Sequence, residues 1–167
     1  MNRIITEPLR QVRQADNFEK GYAFEKYVTE LFNANSFRIV KWRKSEKITD
    51  HSFLFDHSNP DLELIFFGAK KYRFAVECKW RKEFIAGKIN WATNHQISSY
   101  EAFQNQNRIP VFIAIGIGGL PSNPEKLFVT PLYNINIHTE VLESELILYK
   151  RRPTHRFFYD TVQLRLW

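Results

Sequence analysis

The sequence predicts a single α/β domain, and three observations carry that expectation. Apolar residues recur at helical spacing through Phe24, Val28, Leu31 and Phe32. Strict alternation from Phe74 to Arg81 marks a half-buried strand, and Val111-Phe112-Ile113-Ala114-Ile115-Gly116-Ile117 is the continuous apolar run of a strand covered on both faces. With 167 residues, 44% of them hydrophobic and 16% aromatic, the chain can pack one core and is too short for two ordinary domains. One domain over residues 1–167 is therefore expected.

Residues 1–15 mix Arg3, Arg10 and Arg13 with Ile4, Ile5, Leu9 and Val12, and read either as a short helix or as an arm that orders on a partner. Asp16 followed by Glu19 resembles a capping box, so a helix is expected over 17–33. Within it Glu25 has Val28 and Phe32 at i+3 and i+7, which turns its carboxylate toward the edge of the buried stripe. Taken alone, that glutamate is a flank residue reaching solvent or pairing with Lys26 or Arg43. Residues 37–42 read as a strand and 44–59 as a polar loop. His51 and His57 in that loop have no matching ligand set and are assigned no metal.

A second strand, 61–67, starts directly after Pro60, where a proline costs no ladder hydrogen bond. Residues 68–71 turn the chain back into a strand over 72–80. Its alternation places Phe74, Val76, Cys78 and Trp80 on one face and Ala75, Glu77, Lys79 and Arg81 on the other. Glu77 and Lys79 then stand about 6 to 7 Å apart along the strand. An odd-length turn sets Asp61 opposite or nearly opposite Glu77, where like charges need a neutraliser such as a divalent cation held by oxygens.

A helix is expected over 91–105, followed by the central strand 111–117. The glycines from Gly116 to Gly119 lead into Pro121 and Pro124, so they mark a sharp turn and not a phosphate loop. A short strand over 127–130 and a helix over 136–146 carrying Glu140, Glu143 and Glu145 complete the expectation. The extension 147–167 interleaves bases with aromatics. It reads as a phosphate- and base-contacting tail or as a terminal hairpin whose aromatics pack on the sheet.

The 24 Lys plus Arg against 18 Asp plus Glu give a net charge of +6, which favours a polyanionic partner. The candidate nucleic-acid contacts are Arg81, Lys82 and Lys88 beyond the acidic cluster, Tyr100 on the following helix, and Lys150, Arg151, Arg152 and Arg156 in the tail. Solvated charge is the plain alternative for the basic residues, and core packing for Tyr100. The one cysteine, Cys78, excludes an internal disulfide and a multi-cysteine zinc site and points to a reducing compartment; it is expected in the core, without a nucleophilic role. Neither an apolar leader nor an eighteen-residue apolar run is present, so a cytoplasmic protein with no membrane span is expected.

Pro60-Asp61 followed by Glu77-Cys78-Lys79 resembles the PD-(D/E)XK nuclease superfamily, which includes restriction endonucleases and Holliday-junction resolvases. The order Glu25, Pro60-Asp61, Glu77-x-Lys79, Gln96 on helix, strand, strand and helix is more specific than the tripeptide alone. Gln96 with Tyr100 is similar to the Gln-x-x-x-Tyr element of the exonuclease-like branch. The resemblance covers residues 17 to about 128. It implies a restriction-endonuclease-like fold, a mixed central sheet flanked by helices.

It also implies roles. Asp61 and Glu77 would hold Mg²⁺ or Mn²⁺ together with a backbone carbonyl of Val76 or Cys78 and several waters, and Glu25 would complete or relay that site. Lys79 would sit beside the attacking water and the non-bridging phosphate oxygen. Gln96 would join the catalytic set or face solvent. Taken singly, Glu77 with Lys79 is a surface pair worth well under ~1 kcal/mol, and Asp61 is a turn acid. The implied function is a metal-dependent DNA endonuclease. The alternatives are a catalytically inactive module of the same fold that binds DNA or a partner protein, and an RNA-directed nuclease. Two-fold symmetry is common in the resembled family and suits cutting both strands, although no residue here fixes a homodimer.

Overall fold

The computed structural model describes residues 6–44 and 58–167; His51, His57 and residues 1–5 lie outside the described residues. The first helix, α1, spans Thr6–Glu30 and so begins well before the expected start at residue 17. Asp16 does not cap it. It lies inside the helix and accepts a hydrogen bond from the Lys20 ammonium at 2.7 Å, one turn further on. Leu, Arg, Gln and Ala dominate residues 9–15 and all favour helix, so the helix runs through the cap-like pair.

Six strands form one sheet: β1 Phe37–Trp42, β2 Leu62–Phe67, β3 Lys71–Arg81, β5 Val111–Ile117, β6 Lys126–Pro131 and β8 Lys150–Arg151. Their order is β1-β2-β3-β5-β6-β8. Only β3 with β5 is parallel, so the sheet is mixed, as the resemblance implied. A parallel pair needs a crossover. Here it contains β4 Lys88–Asn90 and helix α2 Asn94–Asn107. The β2–β3 hairpin pairs Phe67 with Lys71 across a three-residue turn and Leu62 with Val76 at its far end. One further step brings Asp61 level with Glu77, the predicted register.

Alternation divides the sheet's side chains between two cores. Phe74, Val76, Phe112, Ala114, Leu127 and Val129 pack with Phe24 and Val28 of α1 and with Phe32 just after it. Ala75, Val111, Ile113, Ile115 and Phe128 pack with Ile97, Tyr100 and Phe103 of α2. Every residue of β5 is buried, as expected of a central strand. Gly116 permits the close approach of α1, because a methyl group there would overlap the Phe24 ring.

Helix α2 begins later than expected, with Thr93 as its N-cap, and leaves Trp91 in the core with its indole N–H donating to the His138 carbonyl at 2.8 Å. The helix expected over 136–146 is mostly absent. Glu140–Leu142 forms β7 instead, paired with β4, and only the single turn Glu143–Leu146, α3, is helical. Val141 is buried between exposed neighbours, a period of two that outweighs the helix-favouring glutamates. The tail follows the hairpin reading. Tyr159–Asp160, β9, pairs with Arg165–Leu166, β10, and Tyr159 stacks on Phe74 at 5.0 Å. Among the described residues no helix is long and apolar enough to cross a membrane.

Candidate active site

The site grows from a notch in the sheet. Strand β2 starts at Leu62, so β3 beyond Val76 keeps β5 on one side and has no β2 partner on the other. Asp61 stands at that point. Its Oδ2 accepts the Cys78 backbone N–H at 2.8 Å, replacing a ladder hydrogen bond by a side-chain one. Arg43 fixes the approach to Asp61. Its backbone N–H donates to the Asp61 carbonyl at 3.0 Å, and its guanidinium donates to the Pro60 carbonyl and the Glu63 carboxylate.

Glu77, 3% exposed, and Lys79 share the α2 face of β3, as the alternation required. The Lys79 ammonium pairs with Glu77 Oε1 at 2.6 Å and donates to the Tyr100 hydroxyl oxygen at 3.3 Å. Tyr100 also lies close enough to the Glu77 carboxylate to favour its charged form. Cys78 packs on the opposite face with the α1 core, and burial among the nearby acids pushes its thiol well above the ordinary range. A partly buried thiol held toward its protonated form is a poor nucleophile.

Glu25 arrives from α1. It is 1% exposed, and both of its oxygens are engaged: Oε2 accepts from the Trp42 indole at 2.9 Å and Oε1 pairs with the Lys44 ammonium at 2.6 Å. Trp42 ends β1 and Lys44 follows it by two residues. Trp42 is held flat against Tyr22, with ring centroids 5.2 Å apart.

Three carboxylates therefore face two ammonium groups. Burial, and next the charge of Glu25, push the Asp61 carboxyl up to about 7, against the opposing pull of Lys44 and Lys79. Burial and Asp61 raise Glu77, while Lys79 and Tyr100 oppose the shift. Burial raises Glu25 despite Lys44 and Trp42. Burial alone would lower Lys44, yet Glu25, Asp61 and Glu77 outweigh it and raise its pKa, so Lys44 stays cationic. This excess of buried negative charge, on oxygen donors, fits a hard divalent cation. Asp61 and Glu77 are the donors best placed for one. Among the described residues no three His, Cys, Asp or Glu side chains form a ready-made cage. Mg²⁺ does not require one, since one or two carboxylates with waters and phosphate oxygens usually hold it.

The structure thus gathers Glu25, Asp61, Glu77 and Lys79 and adds Tyr100, Trp42 and Lys44 to them. Trp42 and Lys44 were missed as site residues; their spacing of two at a strand end was the only sequence signal. Gln96 has another task. Its side-chain oxygen accepts the Thr93 N–H at 3.0 Å while its own N–H donates to Thr93 Oγ1 at 3.2 Å, closing the capping box that starts α2.

The basic candidates separate into two groups. The Arg81 guanidinium donates to the carbonyls of Trp80, Asn90 and Trp91, and that of Arg151 to the carbonyls of Lys150, Val129 and Leu166. Both therefore tie the backbone together. Lys82, Lys88, Lys150, Arg152 and Arg156 are exposed.

No family model and no curated protein matches the chain. Among solved structures it is similar to Hjc of Archaeoglobus fulgidus, a Holliday junction resolvase from an archaeal hyperthermophile. The likeness has a TM-score of 0.54 at 15% sequence identity and covers 80% of this chain and 91% of that one. At that identity the likeness is one of fold: the chain shares a mixed central sheet flanked by helices with that structure.

Proposed function

We propose that the chain is a single-domain, divalent-metal-dependent DNA endonuclease that hydrolyses phosphodiester bonds. The observation that carries this reading is the notch in which Asp61 and Glu77 converge beside Lys79, the Asp61 carboxyl pushed upward by burial and Glu25, and the Glu77 carboxyl by burial and Asp61. Asp61 and Glu77 hold Mg²⁺ or Mn²⁺, and Glu25 completes or relays the site from α1. When bound, the cation supplies charge neutralisation at the phosphate and a lower pKa for a coordinated water.

The chain's own residues do the rest. Tyr100 and Glu77 hold the Lys79 ammonium on the cleft face, where it can stabilise a non-bridging phosphate oxygen and orient the attacking water. Arg43 and the Cys78 N–H fix Asp61 before substrate arrives, so little reorganisation is left for the reaction. Lys82, Lys88, Lys150, Arg152 and Arg156 contact the DNA backbone, in keeping with the net charge of +6. A cytoplasmic setting and a homodimer that cuts both strands belong to the same reading.

The test is a cleavage panel of linear duplex, single-stranded and four-way junction DNA, and RNA, with Mg²⁺ or Mn²⁺. The junction is included because the structural neighbour is a Holliday junction resolvase. Metal-dependent DNA cleavage is expected from the wild type and not from Asp61→Asn, with DNA binding retained. Cleavage that persists in the pure variant would remove Asp61 from the chemistry. Salt-sensitive DNA binding by a wild type that neither cuts nor takes up Mn²⁺ would instead favour a binding module.

A further inference from the structure

Among the described residues of the site, Lys44 is the cation that the nuclease reading does not use. It is 18% exposed in its side chain, pairs with a carboxylate that is almost fully buried, and lies 5.7 Å from the centre of the Phe18 ring. Phe18, Gly21 and Glu25 occupy positions i, i+3 and i+7 of α1, so one helix face forms its seat. Gly21 makes that seat possible. A methyl group built on Gly21 would overlap the Lys44 ammonium nitrogen. A glycine inside a helix is otherwise unfavourable relative to alanine, so its presence one turn before Glu25 has a local reason.

We propose that Lys44 is a resident counter-ion that occupies the Glu25 carboxylate in the metal-free protein, admitted by the gap at Gly21, and that it competes with a divalent cation for Glu25. The inference rests on the metal-dependent reading above and adds a residue to it. Lys44 approaches from just beyond the end of β1, whereas Lys79 approaches from β3, and both lower the Asp61 pKa. The two ammonium groups are thus not equivalent. Lys79 lies on the cleft face with Tyr100. Lys44 sits against α1 and blocks one Glu25 oxygen, while the Trp42 indole holds the other. Release of Lys44 would free a third carboxylate oxygen without moving α1. Lys44 is a positioning residue, acting through Glu25.

Gly21→Ala tests this without changing the charge of the site, because the added methyl displaces only the end of a flexible side chain. Mn²⁺ affinity of the intact chain, measured by titration calorimetry, is the readout. Gly21→Ala is expected to bind Mn²⁺ about tenfold more tightly than the wild type. Lys44→Met is expected to change affinity in the same direction and by at least as much. In a Glu25→Gln background the Gly21→Ala change should have no effect on affinity, since the competed carboxylate is gone. A Gly21→Ala affinity equal to that of the wild type overturns the proposal, as does a gain that survives Glu25→Gln. Should Lys44→Met fail to fold, the cycle between positions 21 and 25 decides alone. Wild-type Mn²⁺ binding that is lost in Asp61→Asn while Gly21→Ala is silent leaves the nuclease reading standing and removes only this inference. Absence of Mn²⁺ binding in the wild type, Gly21→Ala and Lys44→Met alike removes both.

Discussion

The two ammonium–carboxylate pairs of the site are built in opposite ways. Glu77 and Lys79 belong to one strand, two residues apart, and their common orientation follows from the pleat. Glu25 and Lys44 come from a helix and from just beyond the end of a strand, meet across 19 positions of sequence, and need a glycine to approach each other. The strand pair faces the notch and holds Tyr100. The helix pair is packed against α1 and held by Trp42. On the proposed reading the strand pair carries the chemistry and the helix pair tunes it.

The largest test of that contrast compares Lys79→Ala with Trp42→Phe. Removing the Lys79 ammonium is expected to reduce kcat by about 10²- to 10⁴-fold, the scale of a lost acid–base or charge-stabilising group. Trp42→Phe keeps the stack on Tyr22 and removes one hydrogen bond to Glu25. It should cost about 1–3 kcal/mol of stability and much less than Lys79→Ala in kcat. Equal kinetic losses would erase the distinction between the two halves.

A second test uses pH. Asp61 has its carboxyl pushed up from 3.8 to about 7 in the folded chain, with Glu77 and Glu25 shifted in the same direction. Between those values the folded state binds more protons than the unfolded state, so metal-free stability should fall as pH rises from about 4 to about 7. Thermal melts in chelator across that range should show the loss. Saturating Mn²⁺ should flatten the slope, and Asp61→Asn should reduce it. A stability that rises through the window would contradict the electrostatic picture.

The smallest expected effect is at Gln96. Gln96→Ala should lower stability by about 0.5–2 kcal/mol through the lost capping box and leave the pH profile of cleavage unchanged. A shifted profile would return Gln96 to the chemistry.

What could be read from the sequence follows the same division. The faces of β3 follow from a period of two and the buried strand β5 from its continuous apolar run, both local, while the turn expected over 68–71 is one residue shorter in the structure and it is this three-residue turn that sets Asp61 level with Glu77. Glu25 was placed at the edge of its helical stripe by the same means. Its partners were not, because Trp42 and Lys44 reach it only through tertiary packing of β1 on α1. Gln96 shows the opposite case. Its strongest bonds are to Thr93, three residues away, and that local cap competed with the long-range role that the resemblance implied. At Glu140, helix propensity lost to the pairing of Val141 with Ile89, a contact between distant segments, and only Glu143–Leu146 stayed helical. The early start of α1 reflects a cap-like pair that became an internal Asp16–Lys20 bridge.

The central claim is that Asp61 and Glu77 jointly take a divalent cation. A crystal of the protein soaked in Mn²⁺ and measured at the manganese absorption edge tests it most directly. The account predicts one anomalous peak bridging the Asp61 and Glu77 carboxylates, absent in Asp61→Asn. A peak elsewhere with that notch empty, or none at saturating Mn²⁺, would contradict it.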